Sequence, residues 1–332
     1  MNDPAQPTPL SAPAAPVRIG FLGPRGTFTE QALLTQPDYA TAELVPYPTM
    51  ADVLRATETG EVELGFVAIE NSIEGTVNVT SDTLAFDVDV MIQREVVIPI
   101  QQHLMSVPGS VLSGIEEVVS IPHATAQARQ FLFQELPTVR TTAANSTAEA
   151  ARLVAEAGNP KVAAIGNELA ASIYDLEILA RDIEDHPENE TRFVAVAPTV
   201  VPAPTGHDKT SLVVFQHEDA PGSLLAILQQ FAARSINLTN LQSRPTKKGL
   251  GDYCFLIDLE GHVADDVVAD CLKVLRAIGH EVKFLGSYPA AGEHGAAVRE
   301  AADGATRDAE VWLAEIRGRI VGSPETRLER RR

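Results

Sequence analysis

Three short runs of this chain carry side chains suited to making and breaking bonds. The densest is Glu70-Asn71-Ser72-Ile73-Glu74-Gly75-Thr76, which follows an apolar run, 64–69, of the kind buried on both faces of a parallel sheet. Ligands of open α/β sheets gather at the carboxyl ends of strands. Carboxylates placed there can move protons, and amides and hydroxyls can orient a substrate. A solvated turn has the same composition. The second run, Gly20-Phe21-Leu22-Gly23-Pro24-Arg25-Gly26, lies between a strand and a helix that Thr27 or Thr29 can cap. Its glycines miss the dinucleotide spacing, and no Lys-Ser/Thr pair follows for a phosphate loop. The amides of the helix start can still hold a carboxylate, and a purely structural turn is the alternative. The third, Thr191-Arg192-Phe193, opens a strand and taken alone reads as ordinary strand sequence. His123, after Pro122, reads as a helix-start or surface residue. His103, Glu184, Asp185 and His186 lack ligand spacing, and no serine sits in a nucleophile elbow. Neither metal nor cofactor is expected.

The elements that must position these runs alternate as strand and helix. Strands are expected at 17–22 and 64–69, with helices following Thr27 and Thr49, the latter stopping at Gly60. A long strand-like segment, 90–104, crosses to a second set of elements that starts near Ile115. There Pro122 opens a helix through Phe133, and Ser146 with Glu149 forms a capping box for a helix at 147–157. A strand at 161–165, a helix at 167–174 and a strand at 192–196 complete a second α/β lobe, and a cleft is expected between the lobes. A Pro/Gly-bearing linker, 198–209, precedes a change of pattern. Strands at 211–216, 236–243, 253–259 and 281–288, with helical stripes from Leu224 and from Val267, give the ferredoxin-like βαββαβ order. The division expected is a disordered tail 1–16, a two-lobed α/β domain 17–197, the linker, a βαββαβ domain 210–288 and an extension 289–332. In the extension, 309–320 suits a helix with Val311, Leu313 and Ile316 apolar.

Asp and Glu number 45 against 26 Lys and Arg, for a net charge of −19 in 332 residues. That field disfavours nucleic acid as a partner and obliges any anion site to be built locally. Cys254 and Cys271 sit in apolar segments without metal-type spacing, as buried thiols of a reducing compartment. No run approaches the ~18 apolar residues of a membrane span, and the tail lacks the pattern of a secretory signal. A cytoplasmic protein is expected.

Together these pieces resemble the prephenate dehydratase family over about 17–288. The matching stretches are Gly23-Pro24-Arg25-Gly26-Thr27-Phe28-Thr29-Glu30, Ile69 through Val77, Ser146-Thr147-Ala148-Glu149-Ala150-Ala151, Ala163-Ala164-Ile165-Gly166 and Asn189-Glu190-Thr191-Arg192-Phe193. The second domain looks like a phenylalanine-binding ACT domain, with Pro221-Gly222-Ser223-Leu224-Leu225, Ile236-Asn237-Leu238 and Gln242-Ser243-Arg244-Pro245 as its signatures. Ile121 stands where the family usually has histidine, Ala128 where it often has cysteine and Gln242 where it has glutamate.

The resemblance implies a periplasmic-binding-protein-like catalytic domain that converts prephenate to phenylpyruvate, carbon dioxide and water. Thr191 is the implied hydrogen-bond donor to the leaving hydroxyl, relayed from Glu70 or a water, with Asn71 beside it. Arg192 is expected on the carboxylate of the pyruvyl arm, and Phe28 and Phe193 as apolar walls. Thr27, Thr29, Ser72 and Thr76 supply polar contacts. L-Phenylalanine is the implied feedback effector, held between Pro221, Gly222, Ser223 and Leu224 on one side and Asn237, Leu238, Gln242, Ser243, Arg244 and Pro245 on the other, in a homodimer or homotetramer. The alternatives are an arogenate dehydratase and a non-enzymatic amino-acid sensor.

Overall fold

The computed structural model describes residues 16–39, 41–216, 220–246 and 252–291, with 311–312, 314–317 and 319 near the C-terminal end. Residues 1–15, expected as a tail, together with 247–251 and Leu313 lie outside the described residues. Residues 311–312 and 314–317 are helical.

The first lobe begins with β1 (Arg18–Leu22), α1 (Phe28–Leu34), β2 (Glu43–Tyr47), α2 (Met50–Glu58) and β3 (Leu64–Asn71). Both helices start where local chemistry directs: the Thr27 and Thr49 hydroxyls accept the amides of Glu30 and Asp52. A hairpin adds β4 (Gly75–Thr76), then α3 (Asn78–Asp82) runs into a π-helical turn, Thr83–Asp87. The strand expected over 90–104 is two strands. β5 (Met91–Pro99) stays in this lobe, and β6 (His103–Ser106) opens the next. Pro99, with no N–H to extend a ladder, marks the break.

The second lobe continues with β7 (Glu117–Ser120), α4 (Pro122–Gln127), α5 (Arg129–Glu135), β8 (Arg140–Ala143), α6 (Thr147–Ala157), β9 (Val162–Gly166), α7 (Glu168–Ile173) and β10 (Glu177–Ala180). The single helix expected after Pro122 is interrupted at Ala128, whose φ −109° and ψ 20° leave the helical region. Ser146 caps α6, but in the reciprocal bond of the capping box Glu149 accepts from the amide of Asn145, one residue earlier than the cap. The chain then returns to the first lobe as β11 (Glu190–Ala197).

The first sheet runs β2-β1-β3-β11-β5 and the second β10-β6-β9-β7-β8. Only the segments 100–102 and 181–189 cross between them, and they are bonded to each other: Ile100 donates to Asn189 O at 2.8 Å and Ile183 to Gln102 O at 2.9 Å. This is the bilobal, periplasmic-binding-protein-like arrangement, with a two-segment hinge.

The C-terminal unit is β12 (Asp208–Phe215), α8 (Ser223–Ala232), β13 (Leu238–Pro245), β14 (Tyr253–Glu260), α9 (Asp266–Ala277) and β15 (Glu281–Pro289), in the sheet order β13-β14-β12-β15 of a ferredoxin-like fold. Period-two alternation gives its sheet two apolar faces. Leu212, Val214, Ile257 and Leu259 pack under α8 and α9. Val213, Cys254, Leu256, Leu285 and Tyr288 join one core with Val67, Val194 and Val196 of the first lobe. Gly286 permits that approach. At φ +136° it sits 2.6 Å, measured from where a Cβ would be, from the carbonyl oxygen of Ile92 on β5. No helix among the described residues is long and apolar enough to cross a membrane.

Candidate active site

β3 and β11 pair antiparallel, with Asn71 opposite Thr191 and Glu70 opposite Arg192. Paired residues share a sheet face and successive residues alternate, so these four side chains divide between two regions.

On the face toward the second lobe, Asn71 Nδ2 donates to Thr191 Oγ1 at 2.8 Å, to Asn189 Oδ1 at 2.8 Å and to Glu190 O at 3.1 Å. Its Oδ1 accepts the amides of Ile73 at 3.0 Å and Glu74 at 2.9 Å. Those two backbone donors fix which end of the carboxamide is oxygen, so the nitrogen must face Thr191. The Thr191 oxygen is therefore the acceptor in that bond, and its own proton is left for another partner. Asn189, 1% exposed, passes the chain on from its Nδ2 to Gln127 Oε1 at 3.3 Å. Gln127 Nε2 reaches Glu74 Oε1 at 3.3 Å. Ser72 Oγ accepts the Glu190 amide at 2.9 Å. Gln127 comes from the second lobe, Glu74 and Asn71 from the first, and Asn189 from the hinge, so the cluster spans the lobe junction.

On the opposite face Arg192 is 9% exposed and surrounded by acceptors. Its Nε donates to Glu95 at 2.6 Å, one terminal nitrogen to Asp258 at 2.7 Å and Glu70 at 3.2 Å, and the other to the Tyr288 hydroxyl at 2.9 Å. Burial works against the guanidinium charge, yet Tyr288, Asp258 and Glu95 outweigh it and raise the pKa. This is the seam with the C-terminal unit, so the expected role of Arg192 as a substrate clamp is corrected. Glu70 shares that face and cannot relay to Thr191. Thr76 pairs with Glu70 in the hairpin and lies on the same side, away from Asn71. Phe193 is corrected as well. It is 1% exposed and stacks on Phe66 at 5.6 Å inside the lobe, because the strand has by then run under α1.

The glycine-rich turn lines a cavity of its own at the lobe junction, to which the Thr191–Asn71 cluster does not contribute. An open cavity of about 440 Å³ lies between Leu22, Gly23, Pro24 and Tyr47 of the first lobe and Asn145, Ser146 and Arg152 of the second. The Thr27 hydroxyl is occupied, donating to Leu22 O at 3.0 Å while it caps α1. Thr29 is 4% exposed, and Phe28 packs against the core beneath α1. Gly26, at φ +88°, meets α7 of the second lobe, where a Cβ would come within 3.1 Å of Ala170 Cα. Tyr174 donates to Arg25 O at 2.9 Å beside it.

In the C-terminal unit, Gly222 caps α8 at φ 88°, with Pro221 preceding it and Ser223 and Leu224 in the first turn. Leu238 opens β13, with Asn237 just before it. The Gln242–Pro245 signature is split by strand alternation. Ser243 and Pro245 are exposed beside Leu241, whereas Gln242 and Arg244 turn toward the first lobe.

Residues 19–200 match the family model for prephenate dehydratase, and 210–277 match that for the ACT domain. The chain belongs to the prephenate dehydratase family. It is 42% identical over 275 residues to the bifunctional chorismate mutase/prephenate dehydratase of Aquifex aeolicus, spanning 83% of this chain and 74% of that one. Identity to the prephenate dehydratase of Bacillus subtilis is 37% over 281 residues, 82% of this chain and 98% of the other. Among solved structures, Arthrobacter aurescens prephenate dehydratase in complex with L-Phe superposes with TM-score 0.80 at 40% identity, covering 90% of this chain and 99% of that chain. GqqA, described as a quorum quenching acylase, superposes with TM-score 0.75 at 30% identity, covering 82% and 98%. A shared fold therefore leaves the chemistry to be argued from the site. Members of the prephenate dehydratase family are lyases that dehydrate and decarboxylate prephenate.

Sequence reading missed Asn189 and Gln127 as members of the cluster. Asn189 stood inside a matched stretch, so its signal was present. Gln127 lies 62 positions from Asn189 and is brought there only by tertiary structure.

Proposed function

We propose that this chain converts prephenate to phenylpyruvate at the Thr191–Asn71 corner, in the cytoplasm, as a homo-oligomer inhibited by L-phenylalanine. The observation that carries the reading is the fixed orientation of the Asn71 amide. It makes Thr191 an acceptor toward the protein and frees its hydroxyl proton to donate toward the substrate. As the ring carboxylate leaves as carbon dioxide, its bonding electrons enter the ring and expel the hydroxyl at the far end. One proton is taken up, and water departs. A hydrogen bond delivered where negative charge develops on the leaving oxygen lowers that barrier without pKa matching by the threonine. The chain of amides from Asn71 through Asn189 and Gln127 to Glu74 holds the donor in place across the lobes.

Phenylalanine as effector is supported by the similar Arthrobacter protein, which carries L-Phe, and by the shape of the C-terminal unit. Leu225 and Leu241, 58% and 42% exposed, flank the Gly222 and Ser243 segments as an apolar ledge suited to pairing with a second copy. Phenylpyruvate formation from prephenate by the purified chain, with and without phenylalanine, tests the proposal. Turnover suppressed by phenylalanine supports it, and binding without turnover turns the chain into a sensor. Faster conversion of arogenate than of prephenate would reassign the substrate.

A further inference from the structure

Arg244 belongs to the strand segment matched to the effector signature, yet its guanidinium is engaged with the catalytic domain. Its Nε donates to Asp82 Oδ1 at 2.9 Å, and one terminal nitrogen donates to Asn78 Oδ1 at 2.7 Å. Both partners lie on α3. At the other end of the same helical segment, Lys283 of β15 donates to the carbonyls of Leu84 at 2.8 Å, Ala85 at 3.4 Å and Val88 at 2.6 Å, which closes the π-helical turn. The C-terminal sheet thus grips residues 78–88 at both ends.

That segment follows directly on the hairpin that builds the site. β4 pairs Gly75 with Asn71, and Val77 alone separates β4 from α3. Asn71 holds the hairpin through its Oδ1 and Thr191 through its Nδ2, so one planar amide links α3 to the reacting hydroxyl. β13 meanwhile shows Ser243 and Pro245 outward and Arg244 inward, and a ligand on its exposed side displaces the same backbone that carries Arg244.

We propose that residues 78–88 are the transmission element of this enzyme: movement of β13 on effector binding is passed by Arg244 to Asp82 and Asn78, and α3 then tilts the Asn71 amide away from Thr191. This rests on Thr191 being the group that acts on the substrate. A ligand shifts two arrangements only by its differential affinity for them. The Arg244–Asp82 pair is the contact that differs, and its side chains, 21% and 20% exposed, are shielded enough to carry a strand shift and still able to exchange for water.

The test is Asp82→Asn combined with Asn78→Ala in the full chain, with Lys283→Met as a second, independent variant. Phenylalanine binding is measured by calorimetry, which also counts native molecules, and inhibition of prephenate turnover is measured on the same samples. Expected are uninhibited turnover and phenylalanine affinity within about threefold of the parent, with half-inhibition requiring at least about tenfold more phenylalanine, inside the usual range of allosteric coupling. Inhibition that still follows occupancy as in the parent, in both variants, overturns the transmission element. A parent chain that does not turn over prephenate overturns the functional reading instead, so the two failures are distinguishable.

Discussion

Replacing Arg192 by methionine separates the seam from the cleft. The side chain is 9% exposed and meets three carboxylates and a phenol. Glu95 and Asp258, with side chains 1% and 8% exposed, would lose their partner in a region with little water. Lys209, at 2.9 Å, would still partly neutralise Glu95. Asp258 would keep the Ser211 hydroxyl at 2.6 Å. Breaking a buried pair by removing one member costs about 3–5 kcal/mol, and the remaining partners place this case near the lower bound. In a chain of this size that is a fall in Tm on the order of 4 °C. Adding Asp258→Asn to Arg192→Met should recover part of the loss, because the stranded charge is then removed. Thermal unfolding followed by circular dichroism reads the stability, and initial rates on prephenate read the site. The expected result is a marked loss of stability with KM changed by less than about threefold. A substrate clamp would behave in the opposite way: losing a charge-assisted pair worth about 2 kcal/mol or more raises KM some thirtyfold with Tm unchanged. That outcome would refute the assignment of Arg192 to the seam.

Glu70→Gln should leave kcat within about threefold, whereas Glu74→Ala, which removes the acceptor at the end of the amide chain, should lower it by about tenfold or more; steady-state kinetics of the two variants decides between the carboxylates. Gly286→Ala forces a Cβ against the backbone of Ile92 at a φ that favours glycine, and should cost at least about 2 kcal/mol, read as a lower unfolding midpoint in urea. Burial pushes both the Cys254 and Cys271 thiols up to about 11, so a thiol reagent at pH 8 should label neither in the native chain and both in denaturant. Because these folded values lie above those of free thiols, their contribution to stability is complete below about pH 8.5 and is lost as the pH rises through about 11. A stability profile that stays flat across that interval would contradict it.

The parts of the fold that depend on nearest neighbours were legible in the sequence. Thr27, Thr49, Ser146 and Asn167 cap the helices that follow them because a cap needs only the next three residues. The ferredoxin-like unit was readable from its order of strands and stripes. The direction of side chains on β11 was open to the same reasoning, since period two puts Thr191 and Arg192 on opposite faces, but proximity in the motif suggested one shared site. Phe193 has the parity of Thr191 and still misses the cleft, because two residues of strand carry it about 6–7 Å inward beneath α1. Which face receives the C-terminal sheet depends on residues nearly 100 positions away: Tyr288 lies 96 from Arg192. Gln127 joins the corner only through the packing of the second lobe against the first. None of these distant pairings leaves a local signal.

The most direct measurement is the turnover of prephenate by Thr191→Ala. Loss of a donor aimed at developing negative charge should lower kcat by about 10²–10³ while KM stays within about threefold and the unfolding transition is unchanged. A variant that retains activity within a few-fold of the parent would show that the reaction does not pass through the Thr191–Asn71 corner.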